Sequence, residues 1–144
     1  MLARDLMKRD VLSSRPEEAV GALCDRMQAA HVHCAPVTDD EGTLLGIVST
    51  EDLLFGGVFG LPPGAHAEPR IRTDESRMPT VSEVMTAPAL SIPEHAGVRD
   101  VAALMWAHRI HHLPVVDADE RLCGIVSSLD LCRVVLQNQP QDTP

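Results

Sequence analysis

The chain has 144 residues, 44% of them hydrophobic, which predicts one domain with a substantial core. It carries 12 basic and 21 acidic residues, and the net charge of −9 disfavours nucleic acid and anionic membranes as partners. No apolar run approaches the roughly 20 residues of a membrane span, and the start MLARDLMKRD lacks the apolar segment of a signal peptide. A soluble, cytoplasmic protein is therefore expected.

The chain begins with short predicted elements that lead into a longer helix. Ala3–Lys8 reads as a brief helix and Asp10–Ser13 as a brief strand. Pro16 suits the first turn of the helix that follows. The apolar residues of that helix recur at the spacing of one helix face: Val20, Leu23, Cys24 and Met27.

Two strands and a helix are expected next. Ala35–Thr38 and Leu44–Ser49 are short apolar runs on either side of the turn-forming Asp39–Gly42, which predicts an antiparallel pair. A helix resumes at Thr50. The segment 56–79 is rich in proline and glycine, and its glycines could suggest a phosphate loop. No Lys-Ser/Thr signature and helix follow, so a flexible linker is predicted.

The second half of the chain repeats the first. Residues 7–53 align with residues 85–131 without a gap at an offset of 78, and 17 of these 47 positions are identical. The repeated elements are Val81–Thr86, the stripe of Val98, Val101, Ala102 and Met105, the strands Leu113–Val116 and Leu122–Val126, and the helix Ser128–Leu136. The pattern predicts two copies of one supersecondary unit, 1–55 and 80–137, joined by the linker 56–79 and followed by a disordered tail, 138–144.

Both copies contain a Gly-Ile-Val-Ser-x-x-Asp motif where a strand enters a helix. Ser49 with Asp52, and Ser127 with Asp130, fit a capping box, which by itself needs no ligand. The functional alternative is that the serine and free amides attract phosphate, the aspartate accepts bonds from a ribose diol, and the glycine clears space for the ligand. A second duplicated motif, Val32-His33-Cys34-Ala35-Pro36 and Ile110-His111-His112-Leu113-Pro114, is not required by a helix cap. Two duplicated motifs together favour a binding site.

Other chemistry is less well supported. The four cysteines lack CxxC spacing and are expected to be buried free thiols. The clusters His31, His33, Cys34 and His108, His111, His112 form weak ligand sets without a carboxylate or second cysteine, so no metal site is predicted. Ser49 and Ser127 lack an adjacent base, and no catalytic residues are assigned.

The duplicated order of elements and the two motifs resemble the cystathionine-β-synthase (CBS) domain, here as a tandem pair or Bateman module covering nearly the whole chain. The resemblance implies an α/β (α+β) fold of two pseudo-symmetric β-α-β-β-α repeats packed sheet to sheet. Family members of this kind bind AMP, ATP or S-adenosylmethionine in clefts between the repeats and regulate attached or associated proteins.

The resemblance also implies roles for individual residues. Asp52 and Asp130 would hold ribose hydroxyls, and Ser49 and Ser127 would lie beside phosphate. The pocket of Asp130 would contain Ile125 with Val11, Val32 and His33. The pocket of Asp52 would contain Ile47 with Ala89, Ile110 and His111. The apolar members would sandwich adenine, and His111 and His112 would contact phosphate. Their equivalents are His33 and Cys34, so the two pockets are expected to be unequal.

The sequence thus predicts a non-catalytic regulatory module with no obligatory cofactor and an adenine nucleotide as its ligand. A homodimer is expected because the repeat-ending helices have surplus apolar residues: Leu53, Leu54, Phe55, Leu131, Cys132, Val134 and Val135. The regulated partner protein is not identified. The alternatives are a ligand-free dimerisation module, a binder of S-adenosylmethionine or NAD, and, less favoured, a small hydrolase.

Overall fold

The computed structural model describes residues 1–54 and 79–138. Phe55, the predicted linker up to residue 78 and the predicted tail from residue 139 lie outside the described residues. The chain divides into two compact units, one of residues 11–90 and one that combines residues 1–10 with residues 91 onward. We call them the first-half unit and the second-half unit. We call residues 1–10 and residues 79–90 the lead-in segments of the first and second repeats. Each unit therefore contains the lead-in segment of the other repeat.

The described residues form six helices and five strands. The helices are α1 (Ala3–Leu6), α2 (Val20–Ala30), α3 (Thr50–Asp52), α4 (Val81–Val84), α5 (Val98–His108) and α6 (Ser128–Gln137). The strands are β1 (Cys34–Thr38), β2 (Leu44–Ser49), β3 (Ile92–Pro93), β4 (His112–Val116) and β5 (Leu122–Ser127). The predicted α+β class is confirmed. None of the described helices is long and apolar enough to cross a membrane.

The two predicted antiparallel strand pairs are present with the same register. In the first-half unit β1 pairs with β2, and Ala35 lies opposite Val48. In the second-half unit β4 pairs with β5, and Leu113 lies opposite Val126, which is the same pairing shifted by 78 residues. Both pairs contain an irregularity before the last residue of the first strand. In the second-half unit β3 adds to β4 as a parallel strand.

Two predictions for the segment before α2 are wrong. Asp10–Ser13 is not a strand, because the backbone pairing with β1 is limited to one residue, Ser14, which forms a parallel bridge with Val37. The chain turns directly after Ser14 and Arg15. Pro16 lies in that turn rather than in a helix, and α2 begins four residues later.

The late start of α2 follows from a partner that is distant in sequence. Ala19 forms an antiparallel bridge with Thr80, and the backbone N–H of Val20 donates to the carbonyl of Pro79 at 2.9 Å. These bonds occupy the extended backbone before the helix. The lead-in segment of the second repeat therefore decides where α2 begins.

Each unit has its own apolar core. The first-half core consists of Val20, Leu23, Met27, Ala35, Val37, Val48, Leu53, Val81 and Val84. The second-half core consists of Ala3, Leu6, Met7, Ile92, Val101, Met105, Leu113, Val115 and Val126. The predicted stripe of α2 contributes residues to the first-half core, and that of α5 contributes residues to the second-half core. Helix α4 adds two residues to the first-half core, and α1 adds two to the second-half core. Burial of such side chains supplies most of the stability of each unit.

Gly46 and Gly124 are required by close packing of the lead-in segments. A Cβ atom on Gly124 would lie 2.6 Å from Cγ of Met7 and 2.9 Å from the carbonyl oxygen of Lys8. A Cβ atom on Gly46 would lie 2.8 Å from the carbonyl oxygen of Thr86. The interpretation that these glycines clear space for a ligand is therefore wrong, since lead-in residues occupy that space.

A polar cluster in the first-half unit has no counterpart in the other unit. Glu18 accepts hydrogen bonds from the hydroxyl of Ser14 and from Nε and Nη2 of Arg26, the last two at 2.9 Å. Burial raises the pKa of Glu18, but these hydrogen bonds and the charge of Arg26 outweigh burial and lower the pKa below its ordinary value. We call these residues the Glu18 cluster. The equivalent positions in the second repeat are Ile92, Ala96 and Leu104.

All four cysteines are free. Cys34 is buried, and burial raises its pKa to about 11. Cys24 and Cys123 are half-buried, whereas Cys132 is exposed. The prediction of buried thiols is therefore wrong for Cys132, because its face of α6 does not contact the core of the unit.

Candidate functional site

The Ser-x-x-Asp motif forms a complete capping box in each unit. At the start of α3 the backbone N–H of Asp52 donates to Oγ of Ser49 at 3.2 Å, and the N–H of Ser49 donates to Oδ2 of Asp52 at 2.9 Å. At the start of α6 the corresponding bonds between Ser127 and Asp130 measure 3.3 and 2.8 Å. The predicted helix caps are confirmed in both repeats.

The caps use only one oxygen of each carboxylate. Oδ2 of Asp130 also accepts the hydroxyl of Ser127 at 2.8 Å, and Oδ2 of Asp52 accepts the hydroxyl of Ser49 at 3.0 Å. Oδ1 of Asp130 lies 3.8 Å from Nη2 of Arg133, which is an ion pair but too long for a hydrogen bond. Within the described residues, Oδ1 of Asp52 accepts no hydrogen bond. Among the described residues, Oδ1 of each aspartate thus takes no part in the cap and accepts no hydrogen bond.

The second duplicated motif is bonded to the first within each unit. The carbonyl of His33 accepts both the backbone N–H and the hydroxyl of Thr50 at 2.9 Å. The carbonyl of His111 accepts the N–H of Ser128, also at 2.9 Å. The histidine segment and the first residue of the helix are therefore held side by side in both repeats.

The segment before each histidine leaves its helix through an unusual backbone conformation. His31 and Arg109 end α2 and α5 with φ of 54° and 53°, the left-handed region that glycine usually occupies. The next residues, Val32 and Ile110, donate backbone N–H bonds to helix carbonyls at 3.1 Å. This geometry turns the chain sharply from the helix into the histidine motif.

A surface groove lies beside the motif in each unit, at equivalent positions. The groove of the second-half unit has a volume of about 690 Å³ and is lined by Ala102, Met105, Trp106, Ala107, Arg109, Ile110, His111, Ser128 and Leu131. The groove of the first-half unit has a volume of about 430 Å³ and is lined by Cys24, Met27, Gln28, His31, Val32, His33, Thr50, Leu53 and Leu54. Both combine an apolar wall with basic side chains and a hydroxyl at the start of a helix.

The predicted site residues are distributed over both units. Val11, Val32, His33, Ile47, Ser49, Asp52 and Ala89 belong to the first-half unit, and Ile110, His111, His112, Ile125, Ser127 and Asp130 to the second-half unit. Ile47 and Ile125 are half-buried and alternate with the core residues Val48 and Val126, so they project from the opposite face of their strands. The predicted grouping of these residues into two mixed pockets stays a prediction.

Sequence reasoning missed several residues near the motifs. Arg133 lies three positions after Asp130, a spacing that predicts an ion pair on one helix face. Trp106 is 87% exposed at the rim of the larger groove, although it lies on an otherwise amphipathic helix. Trp106 lies outside the predicted apolar stripe of this helix, and its equivalent in the first repeat is the exposed Gln28, so its exposure could have been predicted. Within residues 1–54 and 79–138, no three His, Cys, Asp or Glu side chains are grouped so as to hold a metal ion.

Comparison with known proteins gives consistent matches over most of the chain. The family model described as CBS domain matches residues 3–56 and 81–137. The inosine-5'-monophosphate dehydrogenase of Halobacterium salinarum is 31% identical over 120 residues, which make up 83% of this chain. The chain spans about a fifth of that enzyme (21%), and the match lies in the CBS region rather than in the catalytic part.

Two solved structures have similar folds and are more than 25% identical to this chain over the aligned residues. CBSX2 in complex with AMP has a TM-score of 0.76 and 28% identity, covering 94% of this chain and 96% of that one. CBSX2 is a protein of Arabidopsis thaliana. The cytosolic domain of the Mg²⁺ channel MgtE in complex with ATP has a TM-score of 0.72 and 26% identity, covering 92% of this chain and 48% of that one.

Proposed function

The chain belongs to the CBS domain family, with two CBS domains in tandem, and from this we propose that it is a non-catalytic regulatory module for an adenosine-containing ligand. The predicted class is an adenine nucleotide, AMP, ADP or ATP. Binding would change the behaviour of a partner protein. Asp52 and Asp130 would accept the ribose hydroxyls, and the half-buried Ile47 and Ile125 would contact adenine.

The half-used carboxylate of the Ser-x-x-Asp motif carries this proposal. A helix cap needs one oxygen, and the exposed Asp5 of α1 shows that a carboxylate can make the same backbone bond from solvent. Asp130 is instead only 6% exposed, although burial of a charge is costly. A buried carboxylate with one oxygen left over fits a diol, because a charge-assisted hydrogen bond offsets part of that cost.

Similar proteins support the same ligand class. CBSX2 and the cytosolic domain of MgtE were solved with AMP and ATP, respectively. Both contain an adenosine group, so the common chemistry is a purine, a ribose diol and phosphate. The apolar strand residues, the free carboxylate oxygen and the histidine segment of this chain supply complementary groups.

Substitution by asparagine separates the cap from the ligand contact. In Asp52→Asn or Asp130→Asn the amide oxygen can still accept the cap bond, while the amide nitrogen replaces the free acceptor with a donor. Hydrogen bonds to charged groups contribute about 1.5–3 kcal/mol, so affinity at the altered motif should fall roughly ten- to a hundredfold in calorimetric titration with AMP. Asp5→Asn is the matched control, because it alters a cap carboxylate without a ligand role.

A second experiment decides between a ligand-binding module and a ligand-free dimerisation module. A thermal-shift panel of AMP, ADP, ATP, S-adenosylmethionine and NAD should raise the melting temperature only for true ligands, by mass action. If no compound shifts the transition, the proposed adenosyl binding is wrong. If AMP binds but both asparagine variants titrate like wild type, the aspartates are helix caps only.

We also propose a homodimer, on the basis of exposed apolar side chains. Trp106, Leu129 and Leu136 are 87%, 76% and 76% exposed in the second-half unit. Soluble proteins rarely expose several large apolar groups on neighbouring helices without a partner, and a two-fold interface buries such a surface twice. Light scattering at micromolar concentration should give twice the monomer mass, and Trp106→Glu should shift the mass towards the monomer. A monomer mass for wild type would refute the dimer.

A further inference from the structure

The chain contains a single lysine, Lys8, in the lead-in segment of the first repeat. Lys8 lies in the second-half unit, together with β5 and Asp130 of the second repeat. Its backbone forms an antiparallel bridge with Ile125, in which the two N–H groups donate to the opposite carbonyls at 2.9 and 3.0 Å. A basic residue of one repeat is therefore held directly beside the Gly-Ile-Val-Ser-x-x-Asp motif of the other.

The side chain of Lys8 lies on the face of β5 that points away from the core. Residues directly opposite each other in an antiparallel bridge project from the same face, so Lys8 shares the face of Ile125. Met7, the preceding residue, has an extended backbone, is buried and packs against Gly124 on the core face. Alternation along the extended backbone places Lys8, which is exposed, on the opposite face from Met7.

The same face of β5 includes Ser127, two residues after Ile125. Diagonal neighbours across an antiparallel pair lie about 7–8 Å apart, a distance that a long side chain can span. Ser127 caps α6, and its hydroxyl donates to Oδ2 of Asp130 at 2.8 Å. The ammonium group of Lys8 can therefore reach a ligand that is bound at Ser127 and Asp130.

The charge of Lys8 is not used within the described part of the chain. Its ammonium group makes no ion pair within residues 1–54 and 79–138. An ammonium group has three donors and binds phosphate as a point charge. Asp130 already offers an acceptor to ribose hydroxyls, so the additional group that Lys8 complements in an adenine nucleotide is the phosphate.

The first-half unit has the same backbone geometry without the charge. Thr86 forms the equivalent bridge with Ile47, with hydrogen bonds of 2.9 and 3.0 Å, and is also exposed. In the histidine segments the difference is reversed, because Cys34 occupies the position that His112 has in the second repeat. Each predicted pocket therefore has a basic group that the other lacks, Lys8 in one and His112 in the other.

We propose that Lys8 contacts the phosphate of an adenine nucleotide bound at Asp130. This contact makes the pocket of Asp130 prefer AMP to adenosine. The inference rests on the proposed function, because it concerns a ligand of the same motif. The pocket of Asp52 uses His111 and His112 for the phosphate, as the family resemblance implies, so the two pockets bind the same ligand class through different basic groups.

Calorimetric titrations with AMP and adenosine test this contact in the Asp52→Asn protein, in which the motif of Asp130 is unchanged. Lys8→Gln should lower the affinity for AMP on the order of tenfold and leave that for adenosine unchanged, because only AMP has the phosphate. Lys8→Arg should retain most of the affinity for AMP, since it keeps the charge. Arg4→Gln removes the same charge from an exposed position of the same lead-in segment, and this matched control should change neither affinity.

The single lysine permits a second measurement on the wild-type protein. Acetic anhydride modifies the side chain of Lys8 and the terminal α-amino group, and mass spectrometry of the digested protein follows the two rates separately. Saturating AMP should slow the acetylation of Lys8 several-fold, because a contacted ammonium group is shielded from the reagent. The rate at the α-amino group should not change.

The outcomes separate this inference from the function on which it rests. If neither AMP nor adenosine binds to wild type, the adenosyl function itself fails, and this inference fails with it. If both bind but Lys8→Gln weakens them equally or weakens neither, adenosyl binding stands and the phosphate contact of Lys8 is overturned. An unchanged rate of acetylation of Lys8 in saturating AMP overturns the contact as well.

Discussion

The substitution Gly124→Ala tests whether the motif glycine is required for packing or for ligand access. The new Cβ atom would lie 2.6 Å from Cγ of Met7 and 2.9 Å from the carbonyl oxygen of Lys8. The side chain of Met7 can move, but the backbone of Lys8 is held by two hydrogen bonds to Ile125, of 2.9 and 3.0 Å. The added methyl group must therefore lengthen these bonds or shift the lead-in segment away from β5.

The structure supports an estimate of the cost. Overpacking of a core typically costs about 1–3 kcal/mol, and weakening two backbone hydrogen bonds adds roughly 1 kcal/mol. The lower conformational entropy of unfolded alanine offsets about 0.5–1 kcal/mol. We therefore expect the free energy of unfolding to fall by about 2 kcal/mol, measured by urea denaturation followed by circular dichroism.

Matched substitutions sharpen this test. Gly46→Ala should cost a similar amount, because its Cβ atom would lie 2.8 Å from a lead-in carbonyl in the other unit. Gly97→Ala should cost little, since its nearest neighbouring atom lies at 3.3 Å. In a Met7→Ala background, Gly124→Ala should lower the free energy of unfolding by less than it does in the wild-type background, because the contact with the Met7 side chain is gone. The contact with the carbonyl oxygen of Lys8 remains in both backgrounds. Wild-type stability with lost AMP binding in Gly124→Ala would refute the packing argument and restore the ligand-access interpretation.

Three further predictions concern backbone strain, pH and thiol reactivity. Glu120 has φ of 60° where the first repeat has Gly42, so Glu120→Gly should raise the free energy of unfolding by roughly 0.5–1 kcal/mol in urea titrations; an unchanged or lower value would contradict the strain. Because the pKa of Glu18 is lowered, its carboxylate stabilises the fold above the ordinary value of 4.5, and this contribution disappears as pH falls through the lowered pKa. Glu18→Gln should therefore be less stable than wild type at pH 7 and approach it in acid, whereas a constant difference would exclude the linkage. Exposed Cys132 should react with a disulfide reagent at pH 8 at least about a hundredfold faster than Cys34, whose pKa is raised to about 11; comparable rates in single-cysteine proteins would contradict this burial.

The elements that the sequence predicted correctly are those specified by local pattern. The strand pairs follow from short apolar runs around a turn, and the two caps follow from Ser and Asp three residues apart. The alignment of the two halves at an offset of 78 residues then predicted each of these elements in the second half from its equivalent in the first half. Local residue types and their spacing were sufficient for these parts of the fold.

The errors arise where a distant segment supplies the bonding partner. Pro16 suits the first turn of a helix by local rules, but the backbone at the start of α2 is paired with a distant segment, Val20 with Pro79 and Ala19 with Thr80. The glycines of the motif were misread for the same reason, because the atoms that occupy their space belong to lead-in segments.

The exchange of lead-in segments also constrains how the protein is made. A nascent chain that has reached residue 54 contains α2, β1 and β2 but lacks Val81 and Val84, which complete the core of the first-half unit. Domains generally fold as units during translation, the N-terminal one first. Here the ribosome must pass residue 84 before the first unit closes, and α1 waits still longer for β4 and β5. The first-half unit therefore cannot complete its core until translation has passed the first repeat and the linker. Synonymous codons that slow translation in the linker would prolong the time during which the apolar residues of this core are exposed.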